Sequence, residues 1–170
     1  MRNFCLTVYR ISLTLWLGAA LFFAAVAIKP LRSPEIEALV RPRLALILFP
    51  GYYHWGLILL GTALVTGGLA RKHPQLSGWR AWTSLLFAAA ALACLLADLK
   101  WIYGPLEAMM QLTLARQVPA ADFRSYHLAS MQINAAMASF CLVAAVLACW
   151  SGRESPAGES QLPAQIDPSV

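Results

Sequence analysis

The sequence predicts an all-α protein: an integral membrane four-helix bundle with a short interfacial helix between the third and fourth helices. Hydrophobic residues make up 59% of the 170 residues and charged residues only 12%, and the mean hydropathy is +0.61. Soluble domains contain about 25% charged residues. The apolar residues are also concentrated in four uncharged runs rather than scattered along the chain. These two observations exclude a soluble globular enzyme.

Each uncharged run is long enough to form a membrane-spanning helix. A helix rises about 1.5 Å per residue and the hydrocarbon core is about 30 Å thick, so about 20 residues cross it. The runs contain 18, 27, 17 and 23 residues and cover 11–28, 44–70, 81–97 and 128–150. Strands of membrane barrels alternate polar and apolar residues, and these runs do not. We therefore predict one domain within residues 1–150, with helices at about 5–28, 44–70, 80–103 and 124–150.

Local signals refine the first two helices. Ala25-Val26-Ala27 resembles a signal-peptide cleavage site, but the preceding apolar stretch is longer than a signal peptide requires. We expect the first helix to remain in the membrane. The second run exceeds the length that a bilayer needs, and it contains Pro50-Gly51. We therefore predict a short lead-in segment over residues 44–49, followed by a kink or a restart of the helix at Pro50.

The third connection and the C-terminus have different compositions. Residues 106–114 (LEAMMQLTL) place apolar side chains at 106, 109, 110 and 114, a spacing typical of a helix that lies on the membrane surface. The last twenty residues, 151–170, are rich in Pro, Ser, Gly, Gln and Glu. That composition predicts a disordered polar tail.

Aromatic residues near the ends of the runs match the belts that flank membrane spans. We expect one belt to contain Tyr9, Trp79, Trp82 and Trp150, and the other to contain Tyr52, Tyr53, Trp101, Tyr103 and Tyr126.

The positive charge of the chain indicates contact with lipid rather than with nucleic acid. Thirteen basic and eight acidic residues give a net charge of +5, and most basic residues lie between the apolar runs. Loops next to anionic headgroups have this distribution. With four spans, six basic residues lie on the side of the termini and seven on the other. The second connection is short and lacks acidic residues, so we expect cytoplasmic termini in a plasma (inner) membrane. The four cysteines show no CxxC spacing and are expected to serve packing.

A few polar residues fall in or beside the apolar runs, and topology places them in one half of the bundle. The second and fourth helices begin on the side where the first and third end. Small or polar residues also recur at helical spacing, which is how membrane helices pack. The predicted packing stripes are 54, 58, 61, 65 and 68; 84, 88, 91, 94 and 98; and 127, 130, 134, 138, 141 and 145. The predicted polar cluster consists of His54, Asp98, Lys100, His127, Ser130 and Asn134.

Three interpretations of this cluster remain open. The stripes and the cluster could simply hold the bundle together. Alternatively, His54 and His127, with Asp98 for a metal, could ligate haem or copper. Thirdly, Asp98 and His127 could relay protons or line a path for a small solute. The chain contains no P-loop, GxSxG, HExxH, CxxCH or Rossmann motif, and we identify no catalytic residues.

Several segments resemble one family of small membrane proteins. These are LTLWLGAALFFAAVAIKPL in the first helix, LFPGYYHWGL in the second, WIYGPLEAM after the third and FRSYHLASMQIN at the start of the fourth. Together they resemble the transmembrane protein 205-like family, over about residues 10–150. Residues 33–43 match its pattern less well. The resemblance implies a four-helix integral membrane protein and brings no catalytic residues or substrate. The family's pattern falls on Trp16, Gly18, Pro50, Tyr53, Pro105, His127, Ser130 and Asn134.

The sequence thus favours a non-enzymatic membrane protein with a structural, assembly or interaction role. Its expected partners are the lipid bilayer and either a second copy of the chain or another membrane protein, with no nucleic acid. A looser similarity to copper-resistance and haem-associated membrane proteins motivates the redox alternative. A small-solute or proton carrier is the other alternative, and such a narrow bundle would need an oligomer to form a path.

Overall fold

The structure, a computed structural model, describes residues 1–37, 39–76, 78–115 and 122–150. This part of the chain is helical and contains no strand, which confirms the predicted fold class. The helices are α1 (Arg2–Phe22), α2 (Lys29–Arg32), α3 (Val40–Ala70), α4 (Trp79–Ala97), α5 (Gly104–Leu114) and α6 (Phe123–Cys149). The predicted polar tail lies outside the described residues.

Three short segments join these helices. Wide π-helical turns follow α1 at Phe23–Ala27 and α4 at Asp98–Tyr103, and a single 3₁₀ turn occupies Pro74–Leu76. A π turn places its hydrogen bonds five residues apart and often occurs at functional sites. Because the second π turn continues directly into α5, the predicted short helix is an extension of α4. Leu106 and Met110 of α5 are buried.

Within the described residues, four helical segments are long and apolar enough to cross a membrane. They contain 30, 31, 36 and 27 residues and cover Arg2–Leu31, Val40–Ala70, Trp79–Leu114 and Phe123–Cys149. At about 1.5 Å per residue, even the shortest measures about 40 Å, more than the hydrocarbon core requires. The ends of the helices therefore have the length to extend into the headgroup layer.

Pro50 does not interrupt α3, so of the two predicted outcomes, a kink or a restart of the helix, the restart is wrong. The helix is continuous from Val40 to Ala70 with Pro50 inside it. Proline removes one backbone donor, and membrane helices tolerate this loss because neighbouring groups and local adjustments satisfy the freed carbonyl. Residues 44–49 consequently belong to the same helix as the segment that follows.

The helices pack in the cyclic order α1, α3, α4, α6. The most extensive contacts join α4 to α6 and α1 to α3, and the contacts of α3 with α4 and of α1 with α6 close the bundle. Small side chains allow this close approach: Ala88, Ala91, Ala144 and Ala148 are fully buried. Close packing of small residues is the usual basis of helix association in membranes.

Two glycines of α3 lie at the closest contacts of the bundle. A Cβ atom added at Gly56 would lie 2.8 Å from Cη2 of Trp16 and 2.9 Å from Cδ2 of Leu95. A Cβ at Gly67 would lie 2.8 Å from Cε2 of Tyr9 and equally close to Cδ2 of Leu85. The buried face of α3 is therefore the one that carries these two glycines.

The predicted packing stripe on α3 is wrong, although those on α4 and α6 are largely correct. Ile58 and Val65 are 43% and 65% exposed, so the stripe through His54, Gly61 and Gly68 faces outward. A helix that is apolar on every side gives no signal of which side meets protein. The buried face consists instead of Tyr53, Gly56, Leu60, Ala63, Gly67 and Ala70.

The aromatic residues predicted for the belts differ in exposure: the tryptophans face outward, whereas several tyrosines are buried. Trp79, Trp82, Trp101 and Trp150 are 62–69% exposed, whereas Tyr9, Tyr53 and Tyr103 are at most 6% exposed. These three tyrosines therefore face the interior of the bundle and not the lipid. Buried tyrosine hydroxyls require hydrogen-bond partners, and two of the three have them.

Candidate functional site

Asp98 is the most buried ionisable carboxyl group in the described residues. It follows Ala97, the last residue of α4, and begins the π turn Asp98–Tyr103. Its side chain is only 1% exposed. Because a carboxyl group inside a membrane protein is costly to bury, such residues are functional candidates by default. We therefore build the candidate site around Asp98.

Three donors from two other helices converge on one oxygen of Asp98. The hydroxyl of Tyr53 on α3 donates to Oδ2 at 2.8 Å, and the hydroxyl of Ser130 on α6 donates at 3.2 Å. The side-chain amide of Asn134 donates to the same oxygen. Ser130 and Asn134 are four residues apart, so they project from one face of α6. The carboxyl group thus links α3, the end of α4 and α6.

Tyr52 extends this network and fixes the orientation of Asn134. The Tyr52 hydroxyl donates to Oδ1 of Asn134 at 2.7 Å. The Asn134 amide nitrogen also donates to the backbone carbonyl of Ser130 at 2.8 Å. Since Oδ1 accepts and Nδ2 donates, each side of the amide has a suitable partner. Tyr52, Tyr53, Asp98, Ser130 and Asn134 are called the Asp98 network below.

Aromatic rings enclose the Asp98 network and connect it to α1. The ring of Tyr52 stacks on Phe23, with centroids 4.5 Å apart, and lies 5.0 Å from the ring of Trp16. The ring of Tyr53 lies 4.9 Å from that of Tyr103. Aromatic pairs at such distances add to the energy of burial. All four spans therefore contribute side chains to the network or its surroundings.

Three buried polar atoms around the network have no hydrogen-bond partner within the described residues. They are Oδ1 of Asp98, the hydroxyl of Tyr103 and Nε1 of Trp16. Buried polar groups are usually satisfied by protein or water. The free Oδ1 is chemically distinctive because it can hold a proton or accept a bond from a small donor, while Oδ2 already accepts three bonds.

The structure brings together half of the predicted polar cluster. Asp98, Ser130 and Asn134 are joined by hydrogen bonds. By contrast, His54, Lys100 and His127 are exposed, and they form no hydrogen bond within the described part of the chain. The ring of His127 instead stacks on Phe123, with centroids 6.2 Å apart.

The two histidines do not form a preorganised haem or copper site. Histidine ligands are normally oriented by a hydrogen bond to the second ring nitrogen, and His54 and His127 lack this bond among the described residues. Nor does the described part of the chain bring three or more His, Cys, Asp or Glu side chains together as a metal-binding group. The candidate ligands therefore do not fit the groups that the redox alternative requires.

Sequence reasoning missed the two tyrosines that complete the network. Tyr52 and Tyr53 were expected in one of the aromatic belts that flank the membrane spans. A usable signal was present in the spacing of α3. Tyr53 begins the series 53, 56, 60, 63, 67 and 70, whose other members are Gly, Leu or Ala. Steps of three and four residues define one helix face, and that face is the buried one.

A second set of polar contacts lies at the opposite end of the bundle. Ser84 donates to the carbonyl of Ala144 at 2.8 Å, and its oxygen lies 2.6 Å from the hydroxyl of Tyr9. Because the single Ser84 proton is used on Ala144, Tyr9 is the donor to Ser84. Arg10 donates to the carbonyl of Ala148 at 2.7 Å, and Arg80 donates to that of Leu147 at 3.1 Å. The two arginines thus satisfy carbonyls at the end of α6.

His73, which sequence reasoning did not single out, also lies at this end. Its Nε2 is 2.6 Å from Oδ1 of Asn3, and its Nδ1 accepts from the backbone N–H of Gln75 at 3.2 Å. These contacts tie the second connection to the start of α1.

Comparison with known proteins identifies the family. The family model described as "Domain of unknown function (DUF4149)" matches residues 11–114. This match covers more than half of the chain, so the chain belongs to that family. No curated protein matches it, and no solved structure does. The matched residues include most of the first span, the second and third spans and Asp98, whereas Ser130 and Asn134 lie beyond them.

Proposed function

We propose that this member of the DUF4149 family is a non-enzymatic structural, assembly or interaction unit of the membrane, and that the Asp98 network fixes its helix packing. The observation that carries the proposal is that the polar groups inside the bundle form hydrogen bonds with one another between helices. Tyr53, Ser130 and Asn134 all donate to Asp98, so the network joins one helix to another instead of presenting groups to a substrate. The ordered segments that resemble the transmembrane protein 205-like family support the same type of protein.

Polar groups outside the Asp98 network also form hydrogen bonds between helices. Tyr9 and Ser84 join α1 to α4 and α6, and the Cys141 thiol donates to the carbonyl of Leu13 at 3.4 Å. Interhelical hydrogen bonds in membranes contribute about 0.6 kcal/mol each on average and up to about 1.7 kcal/mol. Their combined effect is to hold one helix arrangement, which a protein needs in order to present a constant surface to a partner.

The test compares Asp98→Asn with Asp98→Leu, and uses Lys100→Gln as the matched control. Asn keeps the shape of Asp98 and an oxygen that can accept from Tyr53, whereas Leu leaves the donors without a partner. Lys100 is two residues away, charged and exposed. In an SDS titration, the free energy of unfolding should fall by about 1–3 kcal/mol in Asp98→Leu. It should fall by less than about 1 kcal/mol in Asp98→Asn and in Lys100→Gln.

The interaction role is read out by crosslinking in native membranes. We expect the wild type, Asp98→Asn and Lys100→Gln to give the same crosslinked product, either a homo-oligomer or a complex with another membrane protein, and Asp98→Leu to lose it. A protein that gives no product in its own membrane, although inserted at normal levels, would contradict the proposal.

The free Oδ1 of Asp98 favours a second candidate, a proton or small-solute carrier. A buried carboxyl group with one unpaired oxygen can take up and release a proton. Asp98 forms no hydrogen bond with His127 in the described residues, so the proton would pass through the hydroxyl groups of Tyr53 and Ser130, which bond to it. Vesicles that enclose a pH-sensitive dye distinguish the two roles. A carrier loses its proton flux in Asp98→Asn while remaining folded, whereas a structural unit shows no flux above empty vesicles.

We also propose that the protein lies in the plasma (inner) membrane with cytoplasmic termini. Residues 71–80 include Arg71, Lys72 and Arg80 and no acidic residue, and basic connections favour the cytoplasmic side. Cys149 is an exposed free thiol at the end of α6. In intact cells stripped of their wall, an impermeant maleimide should label Cys149 only after the membrane is opened. Labelling before that step would reverse the orientation.

A further inference from the structure

An open pocket lies at the connection between α3 and α4, away from the Asp98 network. It has a volume of about 350 Å³ and is lined by Arg71, Lys72, Gly78 and Trp82. All four residues are exposed. Their substitution therefore leaves the core of the bundle intact, which makes the pocket accessible to mutational tests.

Both cations of this pocket are free to bind an anion. Arg71 and Lys72 form no ion pair within the described residues, and residues 71–80 contain no carboxylate. Of the other three arginines at this end of the described chain, Arg10 binds the carbonyl of Ala148 and Arg80 binds that of Leu147, whereas Arg2 is exposed at the start of α1. The pocket therefore places two adjacent cations without an ion pair at this end of the described bundle.

The guanidinium group of Arg71 is held in place by an aromatic ring. Its Cζ atom lies 5.3 Å from the centroid of Trp82, within the range of a cation–π interaction. A positioned guanidinium group keeps its N–H donors available to phosphate oxygens. Trp82 thus orients the cation without neutralising it.

Gly78 brings the start of α4 to the same pocket. Its φ of +70° is a conformation that glycine adopts readily, and no side chain among the described residues caps the helix that begins at Trp79. The first amide groups of a helix carry a partial positive charge. This end of α4 therefore adds to the positive potential that Arg71 and Lys72 create.

The pocket lies where a lipid headgroup would be. Arg71 immediately follows the last residue of α3, a helix long enough to cross the membrane. Trp79 and Trp82 in the first turn of α4 are 69% and 63% exposed, and exposed tryptophans at helix ends are typical of the membrane interface. Basic pockets next to membrane helices bind anionic lipid headgroups.

We propose that Arg71, Lys72, Gly78 and Trp82 form a binding site for the phosphate group of an anionic phospholipid. The same chemistry would accept free phosphate, and the flanking tryptophans favour the lipid because they place the pocket at headgroup level. This site is independent of the role assigned to the Asp98 network.

The experiment is native mass spectrometry of the detergent-purified full chain, titrated with phosphatidylglycerol or with phosphatidylcholine. Each lysine or arginine near an anionic surface contributes about fivefold to affinity. We therefore expect Lys72→Gln to bind phosphatidylglycerol about fivefold more weakly than wild type, and the double variant with Arg71→Gln about 25-fold more weakly. Arg2→Gln, an exposed residue on the same side of the membrane, is the matched control and should bind like wild type.

Two results would overturn the assignment. If Arg2→Gln weakens binding as much as Lys72→Gln, the attraction is a diffuse effect of net charge and the pocket is not a site. If inorganic phosphate, at an ionic strength matched with chloride, displaces phosphatidylglycerol from the wild type, free phosphate and not lipid is the ligand. A preference for phosphatidylglycerol over phosphatidylcholine that only the pocket variants lose would support the proposal.

Discussion

Gly56 is the position at which the packing of the bundle can be tested most directly. An alanine Cβ there would lie 2.8 Å and 3.0 Å from two atoms of the Trp16 ring and 2.9 Å from Cδ2 of Leu95. The leucine methyl group can rotate away. The indole ring cannot, because Trp16 is 1% exposed and is packed on Tyr52. In Gly56→Ala, α1 must therefore move relative to α3.

Two opposing effects determine how much Gly56→Ala changes the free energy of unfolding. Overpacking of a filled core costs about 1–3 kcal/mol, whereas replacing glycine by alanine in a helix contributes about 1 kcal/mol of stability. Gly61 separates the two effects, because an added Cβ there meets no atom within 4 Å and the helix is the same. Gly61→Ala should thus be as stable as wild type or slightly more stable. The difference between the two variants should be about 1–3 kcal/mol.

The assay is reversible unfolding in mixed micelles with increasing SDS, followed by circular dichroism. Both variants change one glycine of α3 to alanine, so detergent binding and helix propensity cancel in the comparison. Equal unfolding free energies for Gly56→Ala and Gly61→Ala would refute the packing of α1 against α3 through Trp16 and Gly56.

Three further predictions concern buried polar groups and cofactors. Tyr53→Phe removes one donor from the Asp98 network and should lower the free energy of unfolding by about 1 kcal/mol. Tyr103→Phe removes a buried hydroxyl that has no partner in the described residues, and should leave the free energy of unfolding unchanged or raise it. The SDS titration measures both changes. Ser84→Ala leaves a buried tyrosine hydroxyl without its acceptor and should cost about 1–3 kcal/mol. Its control, Ser139→Ala, removes only a bond to the preceding turn of the same helix and should stay within about 0.5 kcal/mol of wild type. Because the two exposed histidines lack orienting bonds, the purified protein should show neither a haem absorbance band nor stoichiometric copper. A haem band or equimolar copper would reinstate the redox alternative.

The four spans could be predicted because their signal is collective. An apolar run of about 20 residues is a property of many positions together, so errors at single residues do not matter. The buried faces of α4 and α6 were also predictable, since Ser84 and Ser130 break the apolar pattern and mark the side that faces protein. On α3 no polar residue after Tyr53 lies on the buried face. Lipid and the protein interior also accept the same apolar side chains, so composition does not distinguish the two faces. The series of small residues that begins at Tyr53 indicates the buried face, but Gly61 and Gly68 give the opposite face a similar pattern, and the structure was needed to choose between them.

The site was predictable only in part for a related reason. Asp98, Ser130 and Asn134 are polar residues in apolar surroundings, and topology places them at one end of the bundle. Tyr53 and Tyr103 are amphipathic, and the same residue type serves both the interface and the interior. His54 and His127 occupy the right half but the wrong side of their helices. Successive residues of a helix are rotated by 100° about its axis. Residues of two helices can therefore lie at the same level along the bundle axis without being in contact.

The π turn at Asp98–Tyr103 also determines which side of α5 meets the bundle. Buried positions along α4 follow ordinary helical steps, at 81, 84, 88, 91, 95 and 98, and resume at 103, 106 and 110. The step from Asp98 to Tyr103 is five residues, and Trp101, which an ordinary helix would bring near the buried side, is 66% exposed. The turn thus inserts one residue into the helical register. Deletion of a single residue between Asp98 and Tyr103 would therefore replace the π turn by an ordinary helical turn and keep Leu106 and Met110 on the buried side. Straightening the turn without a deletion would instead rotate α5 by about 100° and turn both side chains away from the core, without altering any side chain of the Asp98 network.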